Sequence, residues 1–97
     1  MTTADLQLPV PINRLRSILR EHGIVRAGVF GSYARGEQTP RSDLDLLIKC
    51  PPGMSLFDVF DLQAVLERQT GVKVDLVTKI NRHFAEYIEA DLIDLNI

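Results

Sequence analysis

The chain has no tryptophan and only one cysteine among its 97 residues, and aromatic residues make up 6% of it. A lone cysteine, Cys50, cannot close an internal disulfide, so a fold stapled by disulfides is excluded. No apolar run approaches the roughly 20 residues that cross a bilayer, and none reads as a signal peptide; a cytoplasmic protein with no membrane partner is expected. Excess charge of one sign is also lacking, since 11 Lys and Arg stand against 13 Asp and Glu for a net charge of −2. A sequence-independent nucleic-acid binder would carry a basic face to neutralise phosphates, so no direct nucleic-acid binding is expected.

What remains is an ordinary globular balance, 45% hydrophobic and 25% charged, which describes a single domain over 1–97. Residues 1–10 lack periodicity and are expected to be poorly ordered. A domain of this size buries only about 60–65% of the surface its unfolded chain exposes, so it gains from a partner, and a homo-oligomer stays open.

Hydrophobic periodicity sets out the elements. Pro11, suited to a first helical position, precedes Ile12, Leu15, Ile18 and Leu19 at helical spacing, and Gly23 ends that helix. Val25 to Phe30 reads as a strand. Gly31 can make a sharp turn, Ser32 is placed to cap a short helix, and Gly36 stops it. After a polar loop, Asp43 to Ile48 alternates with period two, and Pro51-Pro52-Gly53 terminates the strand. Ser55 and Asp58 form a weak capping box for a helix from Leu56 to about Gln69 whose apolar arc is unusually broad. Val72 to Thr78 alternates as a third strand, and Ile80, Phe84 and Ile88 make the seam of a last helix. The tail, with Ile93, Leu95 and Ile97, fits a helix end or a short edge strand. The order α-β-α-β-α-β-α, without repeats, predicts an α+β two-layer domain in which three strands, or four with the tail, share one sheet with helices packed on it.

The chemistry concentrates on five positions. Asp43 and Asp45 are two apart on a strand, so their side chains leave one face with Cα atoms about 6.5–7 Å apart. Asp75 is on the polar face of the third strand and joins them if that strand neighbours the second. Like charges gathered this closely raise one another's pKa unless a cation neutralises them, so the cluster implies a metal. Oxygen-only ligation favours Mg²⁺ or Mn²⁺, which completes its shell with water and substrate phosphates. The Gly31-Ser32 turn offers backbone N–H groups and a hydroxyl for the phosphate tail of a nucleoside triphosphate, and Arg35 can add charge. In-line attack on the α phosphorus would then expel pyrophosphate, with two metal ions bracketing the entering and leaving oxygens.

Gly31-Ser32, ten residues and then Asp43-Leu44-Asp45 resembles the signature of the polymerase-beta-type nucleotidyltransferase superfamily. The phrase Phe-Gly-Ser-Tyr-Ala-Arg-Gly over Phe30–Gly36 is similar to its minimal nucleotidyltransferase branch. The resemblance implies a polymerase-beta-like fold with a small mixed sheet, ATP as substrate, and Asp43, Asp45 and Asp75 as catalytic metal ligands, with Asp75 also helping to deprotonate the acceptor. It further implies an antitoxin that inactivates a cognate HEPN-domain toxin by transferring AMP to a tyrosine. Larger relatives carry extra domains for the acceptor, so a partner is expected to supply that half here, docking on the broad apolar arc of the Leu56–Leu66 helix and on the apolar tail. Two alternatives are a binding antitoxin that masks its partner without catalysis, and transfer to a small molecule or an RNA end, for which no pocket or basic groove is evident.

Blander readings apply elsewhere. Arg35 serves equally well as a solvated residue paired with a nearby acid. His22 and His83 read as helix-end or surface residues without zinc-ligand partners. Cys50 reads as a small packed hydrophobe, and packing suits Tyr33 and Tyr87 better than acceptor roles.

Overall fold

Alternation along the strands decides how the sheet is covered. In the computed structural model, which describes residues 6–78 and 85–97, Leu44, Leu46 and Ile48 are buried to 2% exposure or less while Asp45, Leu47 and Lys49 between them are not. The elements are α1 (Ile12–Glu21), β1 (Arg26–Phe30), α2 (Ser32–Arg35), β2 (Leu44–Lys49), α3 (Leu56–Thr70), β3 (Val74–Val77), α4 (Ala85–Asp91) and β4 (Ile93–Asp94). The four strands form one mixed sheet in the order β3-β2-β1-β4. β1 runs antiparallel to both β2 and β4, whereas β3 is parallel to β2, as a crossover through α3 requires,.

Helices α1 and α3 cover one face. Leu15, Ile18 and Leu19 of α1 and Leu62 and Leu66 of α3 share a core with Ala27, Val29, Leu44, Leu46, Ile48 and Val74 of the sheet. Burial of Val59, Leu62, Leu66 and Thr70 follows a helical repeat,. The Ser55–Asp58 capping box is complete: the Asp58 N–H donates to Ser55 Oγ at 3.3 Å and the Ser55 N–H to Asp58 Oδ2 at 2.9 Å. Gly71, left-handed at φ +73°, ends the helix,.

Three local expectations shift. Pro11 occupies the N-cap of α1, one residue before the first helical position. Gly31 is the N-cap of α2 and Ser32 its first residue, with no side-chain cap bond. A backbone at φ +74° and ψ −152° is open to glycine alone, so the turn falls one residue earlier than a serine cap would put it,. The tail is the short edge strand of its two expected forms, but it is not the expected docking surface: β4 pairs with β1, the Leu95 N–H donates to the Ala27 carbonyl at 2.9 Å, and Ile93 and Leu95 enter the core. Of the N-terminal segment, Leu6, Leu8 and Val10 are half-buried against that core. Ile88 of the expected last seam is buried, and Ile80 and Phe84 lie outside the described residues.

Candidate active site

The uncovered end of the other sheet face carries the acidic residues. Phe30 pairs with Asp45 in the β1–β2 ladder, and Asp45 pairs with Asp75 in the β2–β3 ladder, so the two carboxylates stand on adjacent strands at one level,. The condition on which Asp75 depended, adjacency of the second and third strands, is met. Asp43 lies two residues before Asp45 on the half-buried approach to β2. That approach is tied down from several sides. The Leu44 N–H donates to the Lys73 carbonyl at 2.8 Å, and in the preceding loop the Thr39 N–H donates to Ser42 Oγ at 2.8 Å.

Gly31 sits against this group. A Cβ built there would collide with Asp45 Oδ2, so the missing side chain is what lets the carboxylate lie under the turn. The turn's backbone and the acids therefore occupy one corner of the sheet. Because α2 is a single turn, what it can offer an anion is its unpaired N–H groups rather than a substantial dipole,.

Electrostatics mark Asp45 as the strained member. Burial, followed by the charges of Asp75 and Asp43 and a hydrogen bond with Asp75, pushes its pKa up to about 6; the charge of Arg35 pulls weakly the other way,. A cation among these oxygens would relieve that strain, and oxygen-only donors suit a hard divalent ion. Among the described residues no three His, Cys, Asp or Glu side chains converge as a preformed metal cage. That arrangement still fits Mg²⁺, which typically takes one or two carboxylates and fills its octahedron with water and phosphate.

Arg35 is held by two acids. Its Nε donates to Glu37 Oε2 at 2.9 Å and its Nη1 to Asp91 Oδ2 at 2.7 Å, linking α2 to the end of α4. These bonds, Glu37 first, raise its pKa further. The pairing reading of Arg35 thus describes this arrangement, with the guanidinium close enough to act on Asp45.

Two residues near the site escaped sequence reasoning. Glu67 of α3 accepts the Val74 N–H at 3.0 Å, fixing the start of β3 immediately before Asp75. Nothing in the sequence signals it, because the partners come from different elements. Gly28 leaves room for Leu92: a Cβ would come within 2.5 Å of Leu92 Cδ1 and 3.2 Å of the Ile93 carbonyl oxygen. A glycine in mid-strand was a readable sign of close approach. Between Leu92, Leu47, Lys49, Met54 and Leu56 the same sheet face opens into a cavity of about 760 Å³, where no pocket was expected. Glu89, Asp94, Arg26 and Lys49 are among its lining and Asp43, Asp45 and Asp75 are not, but Leu47 is the next residue along the same face from Asp45.

The blander readings hold where they are described. Tyr33 is buried, His22 Nδ1 lies 2.8 Å from the Ile18 carbonyl at the end of α1, and burial raises the Cys50 thiol. His83 and the Tyr87 side chain are outside the described residues.

A four-stranded mixed sheet with this acid-and-turn corner is the architecture of a nucleotidyltransferase. The sequence model of the nucleotidyltransferase domain matches residues 12–96, and the chain belongs to that family. It is 46% identical over 66 residues to MJ0435 of Methanocaldococcus jannaschii, covering 68% of this chain and 71% of that protein, whose name carries protein adenylyltransferase as a provisional assignment. It is 38% identical over 76 residues to the protein adenylyltransferase MntA of Thermococcus cleftensis, covering 70% of this chain and 77% of the relative. A structure provisionally named as a minimal nucleotidyltransferase superposes with TM-score 0.72 at 36% identity, over 87% of this chain and 95% of the other. A toxin–antitoxin structure with AMP-PNP superposes with TM-score 0.78 at 21% identity, over 89% and 73% respectively, and shares the fold.

Proposed function

We propose that this nucleotidyltransferase transfers AMP from ATP to a tyrosine of a cognate HEPN-domain toxin, releasing pyrophosphate and acting as the antitoxin of the pair. The observation that carries the reading is the level pairing of Asp45 with Asp75 beneath the Gly31 turn. It is supported by the relatives named as protein adenylyltransferases and by the toxin–antitoxin neighbours, one of them a variant of MntA-HpeT with two aspartates two positions apart replaced by glutamate.

In this reading Asp43, Asp45 and Asp75 hold one or two divalent cations, Mg²⁺ or Mn²⁺, which when bound neutralise the carboxylates and polarise the phosphate oxygens. The backbone of Gly31 and Ser32 and the Ser32 hydroxyl bind the β and γ phosphates. Arg35 reaches them on release from Glu37 or Asp91. The acceptor hydroxyl attacks the α phosphorus, its proton passes to Asp75, the bond from α phosphorus to bridging oxygen breaks, and pyrophosphate leaves with that electron pair. Asp75 is suited to this because it stands at the sheet edge, next to a carboxylate already short of stabilisation.

The test is incubation of the chain with ATP labelled at the α phosphate, Mg²⁺ and the candidate toxin, followed by intact-mass spectrometry. One or more AMP units on a toxin tyrosine are expected, and none with Asp45→Asn. A toxin neutralised equally by the variant without label would replace this reading with masking by binding alone; label on RNA or a small molecule would change the acceptor.

A further inference from the structure

One peptide group links the segments that carry the three acids. The Lys73 carbonyl accepts the Leu44 N–H at 2.8 Å, and Leu44 is the residue between Asp43 and Asp45. The other end of that same peptide, the Val74 N–H, donates to Glu67 Oε2 at 3.0 Å, and Asp75 follows it directly. A trans peptide is planar, with its C=O and N–H pointing opposite ways, so the two bonds fix the plane between them. Because β3 is an edge strand, the Val74 N–H points away from β2 to the rim of the sheet, where water would otherwise meet it,. Glu67 therefore holds from outside the sheet the peptide that β2 holds from inside, one residue before Asp75 stands level with Asp45.

The helix itself gives no reason for a carboxylate at this position. Glu67 stands in the last turn of α3, where unpaired carbonyls favour a cation, and Arg68 beside it follows that rule,. The connection from α3 to β3 is also closed without the Glu67 side chain: the Gly71 N–H donates to the Glu67 carbonyl at 2.9 Å, and Thr70 Oγ1 donates to the Leu66 carbonyl at 2.7 Å. What a carboxylate does offer is an acceptor that competes with water for an edge N–H, since charge-assisted hydrogen bonds are shorter and stronger than neutral ones. Asp75 is the acid in need of such support. It stands on an edge strand of four residues with a neighbouring strand on one side, whereas Asp45 pairs on both sides. We propose that Glu67 is a positioning residue for nucleotidyl transfer: by holding the Val74 N–H it keeps Asp75 beside Asp45, so that the two carboxylates can share a divalent cation. The proposal rests on the metal-dependent transfer reading and adds the residue outside the acid corner on which the geometry of that corner depends.

The experiment uses the full chain, with Mn²⁺ and a non-hydrolysable ATP analogue as probes, and follows the paramagnetic broadening of the Asp45 and Asp75 amide signals by NMR. AMP transfer to the candidate toxin is measured separately at a fixed Mg²⁺ concentration. Glu67→Ala is expected to raise the Mn²⁺ concentration for half-maximal broadening at Asp75 by about tenfold or more, as loss of a group that orients a metal ligand does, and to lower kcat by a similar factor. The KM for ATP should stay within about twofold, because the Gly31-Ser32 turn is untouched. Glu67→Gln, which keeps an acceptor, is expected to remain within about threefold of the wild type in both measurements. Glu67→Asp, which keeps the charge but falls short of the N–H, is expected to match Glu67→Ala and serves if that variant misfolds. Ile18→Val, a core change on α1, which carries none of the site residues, controls for general loosening and should shift neither measurement by more than about twofold,. Unchanged Mn²⁺ binding and kcat in Glu67→Ala or Glu67→Asp overturn the proposal. So does an equal loss in Ile18→Val, which would make loosening the cause, or in Glu67→Gln, which would make charge rather than the hydrogen bond the cause. Glu67-dependent Mn²⁺ binding without any AMP transfer would leave the positioning role standing and remove the transfer reading instead; a wild type in which Mn²⁺ broadens neither aspartate overturns both.

Discussion

The two faces of the sheet are made from alternate residues of the same strands, yet they obey different rules. On the helix-covered face Ala27, Val29, Leu44, Leu46, Ile48 and Val74 are all but inaccessible and packed against α1 and α3. On the open face Gly28, Asp45, Leu47, Lys49 and Asp75 leave a cavity at one end and crowded carboxylates at the other. One face is optimised for burial; the other retains like charges that burial penalises. Keeping Asp45 beside Asp75 costs the free protein stability, a cost that the proposed cation would relieve,.

That contrast can be broken from either side. The largest effect is expected from Asp45→Asn, which should lower AMP transfer by at least about 100-fold, beyond the usual loss for residues that only support metal ligands, with circular dichroism unchanged. Its counterpart on the covered face, Leu46→Ala, should lower unfolding stability by about 2–5 kcal/mol through the cavity it leaves, read as a fall in the denaturant midpoint. Gly31→Ala joins the two effects. A side chain in this glycine-only backbone conformation costs about 1–3 kcal/mol, and the new Cβ displaces Asp45, so stability and transfer should fall together,. Glu67→Ala should cost about 1–3 kcal/mol by leaving the Val74 N–H unpaired, whereas Glu67→Gln, which keeps an acceptor, should recover most of it,.

The smallest effect is on pH dependence. Since the folded pKa of Asp45, about 6, stands above the unfolded value of 3.8, the native state holds its proton more firmly, and the metal-free protein loses stability as pH rises through that interval. Thermal unfolding with chelator should therefore give a lower Tm at pH 7.5 than at pH 4.5 from this group. The slope should flatten in Asp45→Asn, and Mg²⁺ should restore Tm at pH 7.5 only in the wild type.

Legibility differed between the faces in the same way. The covered face was readable because its residues follow the period of each element: 44, 46, 48 on β2 and 59, 62, 66 on α3. At the candidate site, the spacing of Asp43 from Asp45 and the position of the Gly31-Ser32 turn were readable because both are local. Asp75 was conditional, since strand order is a non-local outcome. Glu67 and the reach of Asp91 to Arg35 were invisible, because each joins residues brought together only by packing; pairing of Arg35 with a nearby acid and a close approach at Gly28 were legible, though Leu92 as the neighbour was not. The tail was ambiguous for a related reason: two residues of strand carry too little periodicity to declare themselves, and β1's free edge, rather than Ile93–Asp94, makes them a strand.

By itself, then, the sequence determined the elements before the tail, their buried faces and the local spacing of the residues at one corner, because steric preference and alternation act over a few residues. Tertiary structure alone decided that β3 lies parallel beside β2 at the register that sets Asp75 against Asp45. It also decided that Asp45 fits under a glycine and that the excess apolar surface of α3 faces water beside a cavity. Those outcomes depend on which distant segments share the core, and the free energy of that choice belongs to the whole domain rather than to any window of the chain.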